Sequence, residues 1–261
     1  MKKLTYLLIL CLPIIFQSCE ELIDIDLNES DPKYVIEAEL SDILVTQEIR
    51  IAQTVAFNAA VKDTPVDEAD VSVRDDEGNS YIFRSEGNGF YRNGQLTLKP
   101  LHVYSLRVQI GEEVFESQST MPSYVPVDSL SVVQETNFGD TTYAARLKFQ
   151  DPKDSPNYYK YKISVNGSPF RFNAVFIDKF NDGLWVSHEI QDRENDFLIG
   201  DHIQVRRACV DKDVHRYWNE VQMTNPGSAA PGNPTSNISN GALGYFSVSS
   251  AQDYSFTIAE L

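Results

Sequence analysis

The residue types that carry most catalytic and metal chemistry are sparse in this chain of 261 residues, which has four histidines and three cysteines. His102, His188, His202 and His215 fall in separate segments, and no pair has the spacing that places two imidazoles on one zinc ion. Each reads as a surface or strand residue. The chain has no Gly-x-Ser-x-Gly elbow, no phosphate-cradling Gly-Lys-Ser/Thr loop and no dinucleotide fingerprint. Its 38 acidic residues could hide a glycosidase pair, but such pairs leave no local signature. Asp178-Lys179-Phe180-Asn181-Asp182-Gly183 has the composition of part of a calcium loop. It lacks the ligand spacing and the trailing glutamate, so it is expected to be a polar hairpin turn. Asp75-Asp76-Glu77 reads as a charged turn. Cys209 lies in the strand-like Val205–Val210 and is expected to be a small buried hydrophobe. The expectation is therefore no catalytic group, no metal and no cofactor.

The front of the chain is more specific. Lys2 and Lys3 precede an apolar run from Leu4 to Phe16, as in a secretory signal peptide. The run is shorter than the roughly 20 residues that span a bilayer as a helix. Pro13 would also interrupt a permanent span. Phe16-Gln17-Ser18-Cys19 resembles the lipobox of bacterial lipoproteins. That resemblance implies removal of residues 1–18 and lipidation of Cys19. Several acyl chains anchor stably where a single one does not. Glu20, Glu21, Asp24 and Asp26 follow directly. This acidic stretch resembles the export signal that sends Bacteroidota lipoproteins to the outer face of the outer membrane. Residues 19–30 then form a lipidated acidic tether, about 40 Å long if extended.

Charge and length bound the rest. The formal net charge is −16, and loss of Lys2 and Lys3 takes it to about −18. Nucleic-acid binding needs a basic footprint, which this balance excludes. Cys11 leaves with the signal peptide and Cys19 carries lipid, so Cys209 has no disulfide partner and stability must come from the core.

The elements that must supply that core read as strands. Tyr34, Ile36, Ala38 and Leu40 alternate with more polar residues, a period of two. Ile49 and Ile51 continue it. Residues 69–74 and 81–84 flank an Asp/Gly/Asn turn, and residues 103–110 and 113–120 flank Gly111-Glu112, so each pair predicts a hairpin. Pro122 and Pro126 mark a boundary. Further strands are expected at 143–149, 158–165, 170–180, 184–190 and 202–210, with two closing strands at 243–248 and 254–258. Asp211 or Asp213 can cap a helix near 211–224, with Val214, Tyr217, Trp218 and Val221 on one face. The fold class is mainly β: two tandem antiparallel β-sandwich domains of Ig/fibronectin-like type, residues 31–122 and 123–261, with one helix in the second. Aromatics crowd the second half, from Tyr158 to Phe246, and are expected mostly in its core.

Several segments together resemble one family. They are Asp24-Ile25-Asp26-Leu27, Asp31-Pro32-Lys33-Tyr34-Val35-Ile36-Glu37, Phe149-Gln150-Asp151-Pro152, Asn157-Tyr158-Tyr159 and the closing Asn237-Ile238-Ser239-Asn240-Gly241-Ala242-Leu243-Gly244-Tyr245-Phe246. The chain resembles the uncharacterised domain-of-unknown-function family 4249 of Bacteroidota lipoproteins. The resemblance implies an outer-membrane envelope lipoprotein, facing the cell exterior, that accompanies a TonB-dependent receptor, and it carries over no catalytic residue. The expected function is a noncatalytic, lipid-anchored accessory of such a transporter. The alternatives are a stand-alone surface module that binds glycan or protein and, third, a hydrolase. Gly241 and Gly244 are expected to serve a tight turn or a close backbone approach.

Overall fold

Alternation along the first strand sets the pattern for the molecule. In β1 (Tyr34–Ser41), Ile36, Ala38 and Leu40 are fully buried while Glu37 and Glu39 face the other way. In β2 (Gln47–Thr54), Ile49 and Ile51 do the same against Glu48 and Arg50. The computed structural model describes residues 31–55, 63–137, 140–178, 182–192, 195–224 and 232–260. Cys19 and the acidic residues Glu20, Glu21, Asp24 and Asp26 lie outside the described residues, as does the signal segment.

The remaining strands are β3 (Asp63–Pro65), β4 (Asp70–Asp75), β5 (Ser80–Gly87), β6 (Phe90–Asn93), β7 (Val103–Ile110), β8 (Glu113–Thr120), β9 (Ser129–Asn137), β10 (Asp140–Gln150), β11 (Tyr158–Val165), β12 (Arg171–Ile177), β13 (Trp185–Ile190), β14 (His202–Cys209) and β15 (Leu243–Thr257). The helix, α1, spans Lys212–Met223. Asp211 is its N-cap: the side chain accepts a hydrogen bond from the Val214 amide at 2.9 Å.

The chain is mainly β, with the strands in two sheets. The larger runs β12-β11-β14-β15-β1-β2-β6-β5-β4-β7-β8, with β3 on β2, and the smaller is β13-β10-β9. The two expected hairpins are present, with Val73 opposite Tyr81 and Ile110 opposite Glu113. Among the described residues, pairing is antiparallel except between β1 and β15, which run parallel with Ile36 opposite Gly244 and Leu40 opposite Val248.

The end of the chain departs from expectation. The two closing strands are one strand of 15 residues. Its first half pairs with β1 and its second half with β14, where Ala208 lies opposite Ala251 and Val205 opposite Tyr254. Ser249, Ser250 and Ala251, which suggest a break in sequence, are buried where the strand passes from one partner to the other. The larger sheet also curls back on itself. Ser119 on β8 accepts a hydrogen bond from the Val248 amide at 3.0 Å. The Ser239 amide donates to the Glu116 carbonyl at 2.8 Å.

Two main cores result. The first gathers Ile36, Leu40, Ile51, Val73, Tyr91, Leu106, Phe115 and Met121. The second lies between the smaller sheet and β11, β14 and β15, with Leu147, Phe149, Tyr161, Ile163, Val205 and Ile258. The chain crosses from one to the other between Met121 and Val125, at the proline-marked boundary. Ile238, Ala242, Phe246 and Val248, which the sequence reading placed with the second half, lie in the first core. The reason is the parallel pairing with β1, a long-range contact that no local pattern encodes. The described strands and helix belong to one compact unit.

Candidate functional site

Both main cores leave the same face of the central strands free. Residues whose neighbours point into the cores project from it: Glu37, Glu39 and Ser41 of β1, Glu48 and Arg50 of β2, Lys160 and Lys162 of β11, Arg206 and Ala208 of β14, and Tyr245 of β15. Helix α1 packs at one end of this face through Val214, Tyr217 and Trp218, which meet Ala208, Val210 and Tyr245. Phe90, Phe170 and Phe172 complete the walls of a cleft of about 440 Å³.

The floor is organised around one carboxylate oxygen. Glu39 Oε2 lies 3.0 Å from Lys160 Nζ and 2.6 Å from Lys162 Nζ, and accepts a hydrogen bond from the Tyr245 hydroxyl at 2.7 Å. Lys160 in turn donates to the Tyr245 hydroxyl at 3.3 Å. Its ammonium lies 4.3 Å from the centroid of the Trp218 ring and 5.0 Å from that of Tyr245. The Lys160 side chain is 2 % exposed. A cation there is held by a carboxylate and two ring faces.

Burial works to raise the Glu39 carboxyl, but the charges of Lys160 and Lys162 outweigh it and hold the group well below the usual carboxylate range. Burial pulls Lys160 down to about 8 against the attraction of Glu39. Burial, then the Glu39 charge, pushes the Tyr245 hydroxyl up.

The outer walls are charged but internally matched. Both Arg206 nitrogens in contact with Asp253 lie at 2.8 Å, and the guanidinium sits 4.3 Å from the Phe170 centroid. Arg50 binds both Asp63 oxygens, at 2.9 and 2.8 Å. Phe172 stacks on Trp218 with centroids 4.4 Å apart. Trp218 Nε1 is buried and has no hydrogen-bond partner. The lining contains neither histidine nor cysteine. Lys160, whose amine burial pulls down, is enclosed by its own partners. The arrangement can hold a ligand by ring faces and charge.

The histidines are dispersed. His102 Nδ1 lies 2.6 Å from Asp76. His188 is buried, stacked on Phe176 at 4.1 Å and 2.8 Å from the Tyr161 hydroxyl. His202 is exposed, and His215 packs by Tyr158 at 5.2 Å. Among the described residues, the grouping of three potential metal ligands contains no histidine. Cys209 is buried, as expected. Asp75 and Glu77 pair with Asn79 and Lys99, in keeping with a charged turn. Of the segment expected as a polar hairpin turn, Lys179, Phe180 and Asn181 lie outside the described residues, while Asp178 is buried and faces other acids.

Sequence reading missed Glu39 and Lys160. The available signal was alternation: Tyr159 and Tyr161 point into a core, so Lys160 and Lys162 must share the opposite face. Of the aromatics assigned to the core, Tyr159, Tyr161 and Phe246 are there, Phe170, Phe172 and Trp218 line the cleft, and Trp185 is exposed. Phe180 lies outside the described residues.

No curated protein matches the chain. The family described as Domain of unknown function (DUF4249) matches residues 20–255, nearly the whole chain. With that span, the chain belongs to this domain-of-unknown-function family.

Proposed function

We propose that the protein is a noncatalytic binding lipoprotein, anchored through lipid on Cys19 to the outer membrane and facing the cell exterior. It would work as an accessory of a TonB-dependent transporter, contacting the barrel, its cargo or both. The observation that carries the binding role is the cleft, where rings and matched charges line a sheet face that neither main core uses. The anchor rests on Phe16-Gln17-Ser18-Cys19 and the acids after it. The transporter partner rests on the family resemblance. We read the two cores as two β-sandwich halves fused through β15.

The test is recovery of the tagged full-length protein from its native membranes in mild detergent, with mass spectrometry of what accompanies it. A near-stoichiometric TonB-dependent barrel is the expected result. Recovery of the lipoprotein alone, in amounts that would reveal a partner, rejects the accessory reading. The second reading, a stand-alone glycan- or protein-binding module, is favoured by the Phe170, Phe172 and Trp218 rings. It predicts binding to immobilised polysaccharide that a Phe170→Ala variant loses.

A further inference from the structure

Three aspartates converge on the far side of the second core. Asp151 follows β10, Asp178 follows β12 and Asp182 precedes β13. One oxygen from each lies within 4.8 Å of the others. Asp151 is 2 % exposed and Asp178 is 8 % exposed, while Asp182 is open to solvent.

The hydrogen bonds they accept come from neutral donors. The Tyr159 hydroxyl donates to Asp151 Oδ1 at 2.6 Å, the Asn157 amide to Asp178 Oδ2 at 3.0 Å and the Asp154 amide to Asp182 Oδ1 at 2.7 Å. Among the described residues, none of the three is in an ion pair with a lysine, arginine or histidine. Asp151 Oδ2 is buried and has no hydrogen-bond partner. An ionised carboxylate can only accept, so a buried, unmatched oxygen beside two further carboxylates is costly. Burial, then the neighbouring Asp178 and Asp182, pushes the Asp151 carboxyl up.

Two occupants could relieve this arrangement. A proton joins at most two of the three oxygens. A cation joins all three. Oxygen ligands of calcium stand about 2.4 Å from the ion, so two of them are at most about 4.8 Å apart. Oxygens that all lie within 4.8 Å of one another are close enough for one ion to reach all three. Calcium takes about six to eight oxygens in a flexible geometry, whereas magnesium demands a stricter octahedron and usually keeps several waters, so three protein carboxylates suit calcium.

We propose that Asp151, Asp178 and Asp182 bind a calcium ion that ties the β10–β11 connection to the β12–β13 connection. Two of the ligands lie in Asp178–Gly183, the segment with the composition of part of a calcium loop, and Asp151 comes from another connection, which is why the loop pattern is incomplete in sequence. Exposed Asp182 leaves one side of the ion open to water. Asp151 links the ion inward: its partner Tyr159 stacks 4.4 Å from the buried Arg207 guanidinium. The site therefore braces the second core rather than serving the cleft.

The test uses the full-length protein in mild detergent, stripped with chelator and titrated with terbium, exciting the protein's own rings. Tyr159 lies close enough to sensitise an ion on Asp151. Saturable emission, displaced by calcium, is the expected result. Asp151→Asn and Asp182→Asn should each abolish it. In the unmodified protein, calcium at a hundredfold excess over Kd should raise Tm by about 5–10 °C, and neither variant should respond. Asp182 is exposed, so its variant keeps the fold and carries the test if Asp151→Asn misfolds. No saturable emission up to about 1 mM terbium, the weak end for extracellular calcium modules, overturns the proposal. So does emission that survives in folded Asp182→Asn, which would place the ion elsewhere.

Discussion

At the scale of single residues, Glu39 and Lys160 are coupled unequally. Glu39 holds two lysines, whereas Lys160 has one carboxylate. Changing Glu39 to Gln strands a lysine that is 2 % exposed. Breaking a buried pair from one side costs about 3–5 kcal/mol. Changing Lys160 to Met leaves Glu39 paired with Lys162 at 2.6 Å and puts an apolar chain against Trp218. The expected outcome in urea denaturation is a large loss for Glu39→Gln and a clearly smaller one for Lys160→Met. Equal losses would show that Lys162 does not make up for the loss of Lys160 beside Glu39. His188 gives a second residue-scale prediction. Burial, then the Arg207 charge, pulls its imidazole down to about 3. In the unfolded chain it titrates near the ordinary value of about 6.5. Below that pH the unfolded chain takes up a proton that the folded chain refuses, so stability falls as the pH drops, down to about 3. The slope is about 1.4 kcal/mol per pH unit. Between pH 7 and pH 5 the protein should therefore lose about 2 kcal/mol more than a His188→Gln variant. Identical pH slopes in the two proteins would assign the acid sensitivity to other groups.

At the scale of elements, the entry into β15 is the most constrained point. Gly244 has φ +90°, and a Cβ there would sit 2.1 Å from the Ile36 carbonyl oxygen, a backbone atom that cannot move aside without breaking the parallel pairing. Gly241 has φ +73° with open space around it. Gly241→Ala should cost only the strain of left-handed backbone, about 1–2 kcal/mol, and Gly244→Ala clearly more. Thermal melts of the two variants check the order. Asn237 fixes the same entry by mimicking a strand neighbour: its amide donates to the Phe246 carbonyl at 2.8 Å and its oxygen accepts from the Phe246 amide at 2.9 Å. The two glycines were legible as a turn and a close approach, because only glycine tolerates both. Strands with strict alternation and a marked turn, such as β1 and the β7–β8 hairpin, were legible for the same local reason. The capped helix was too, since Asp211 and the spacing of Val214, Tyr217 and Trp218 are both local. β9 was not, because its side chains are mostly exposed or half-buried and it follows the proline-marked boundary. The continuity of β15 was hidden by Ser249-Ser250-Ala251, whose small size reflects crowding at the crossing and reads in sequence as a break. The cleft was illegible for a related reason. Glu39 and Lys160 come from opposite halves, and alternation says which face each occupies but not that β1 and β11 lie on one sheet.

At the scale of the whole molecule, β15 belongs to both cores, with Phe246 and Val248 in the first and Ile258, just past its end, in the second. Removing its partner on either side exposes apolar surface on both. The two halves should therefore unfold together, although their cores are distinct. Both tryptophans, Trp185 and Trp218, lie outside the first core. Their fluorescence reports β13 and the α1 face, whereas far-ultraviolet circular dichroism reports strands throughout. Leu40 is fully buried in the first core, and its change to Ala should cost about 2–5 kcal/mol. If the halves are one cooperative system, Leu40→Ala lowers the fluorescence and dichroism midpoints in urea by the same amount. A dichroism curve that splits while the fluorescence midpoint stays in place would show that the halves hold their folds separately. The cleft depends on the same coupling. Its acidic side comes from β1 and its lysines from β11, so partial unfolding of either half would separate Glu39 from Lys160. If the cleft binds polysaccharide as proposed, a Leu40→Ala protein near its midpoint should lose that binding in parallel with its fluorescence signal, with no folded population that retains half a site.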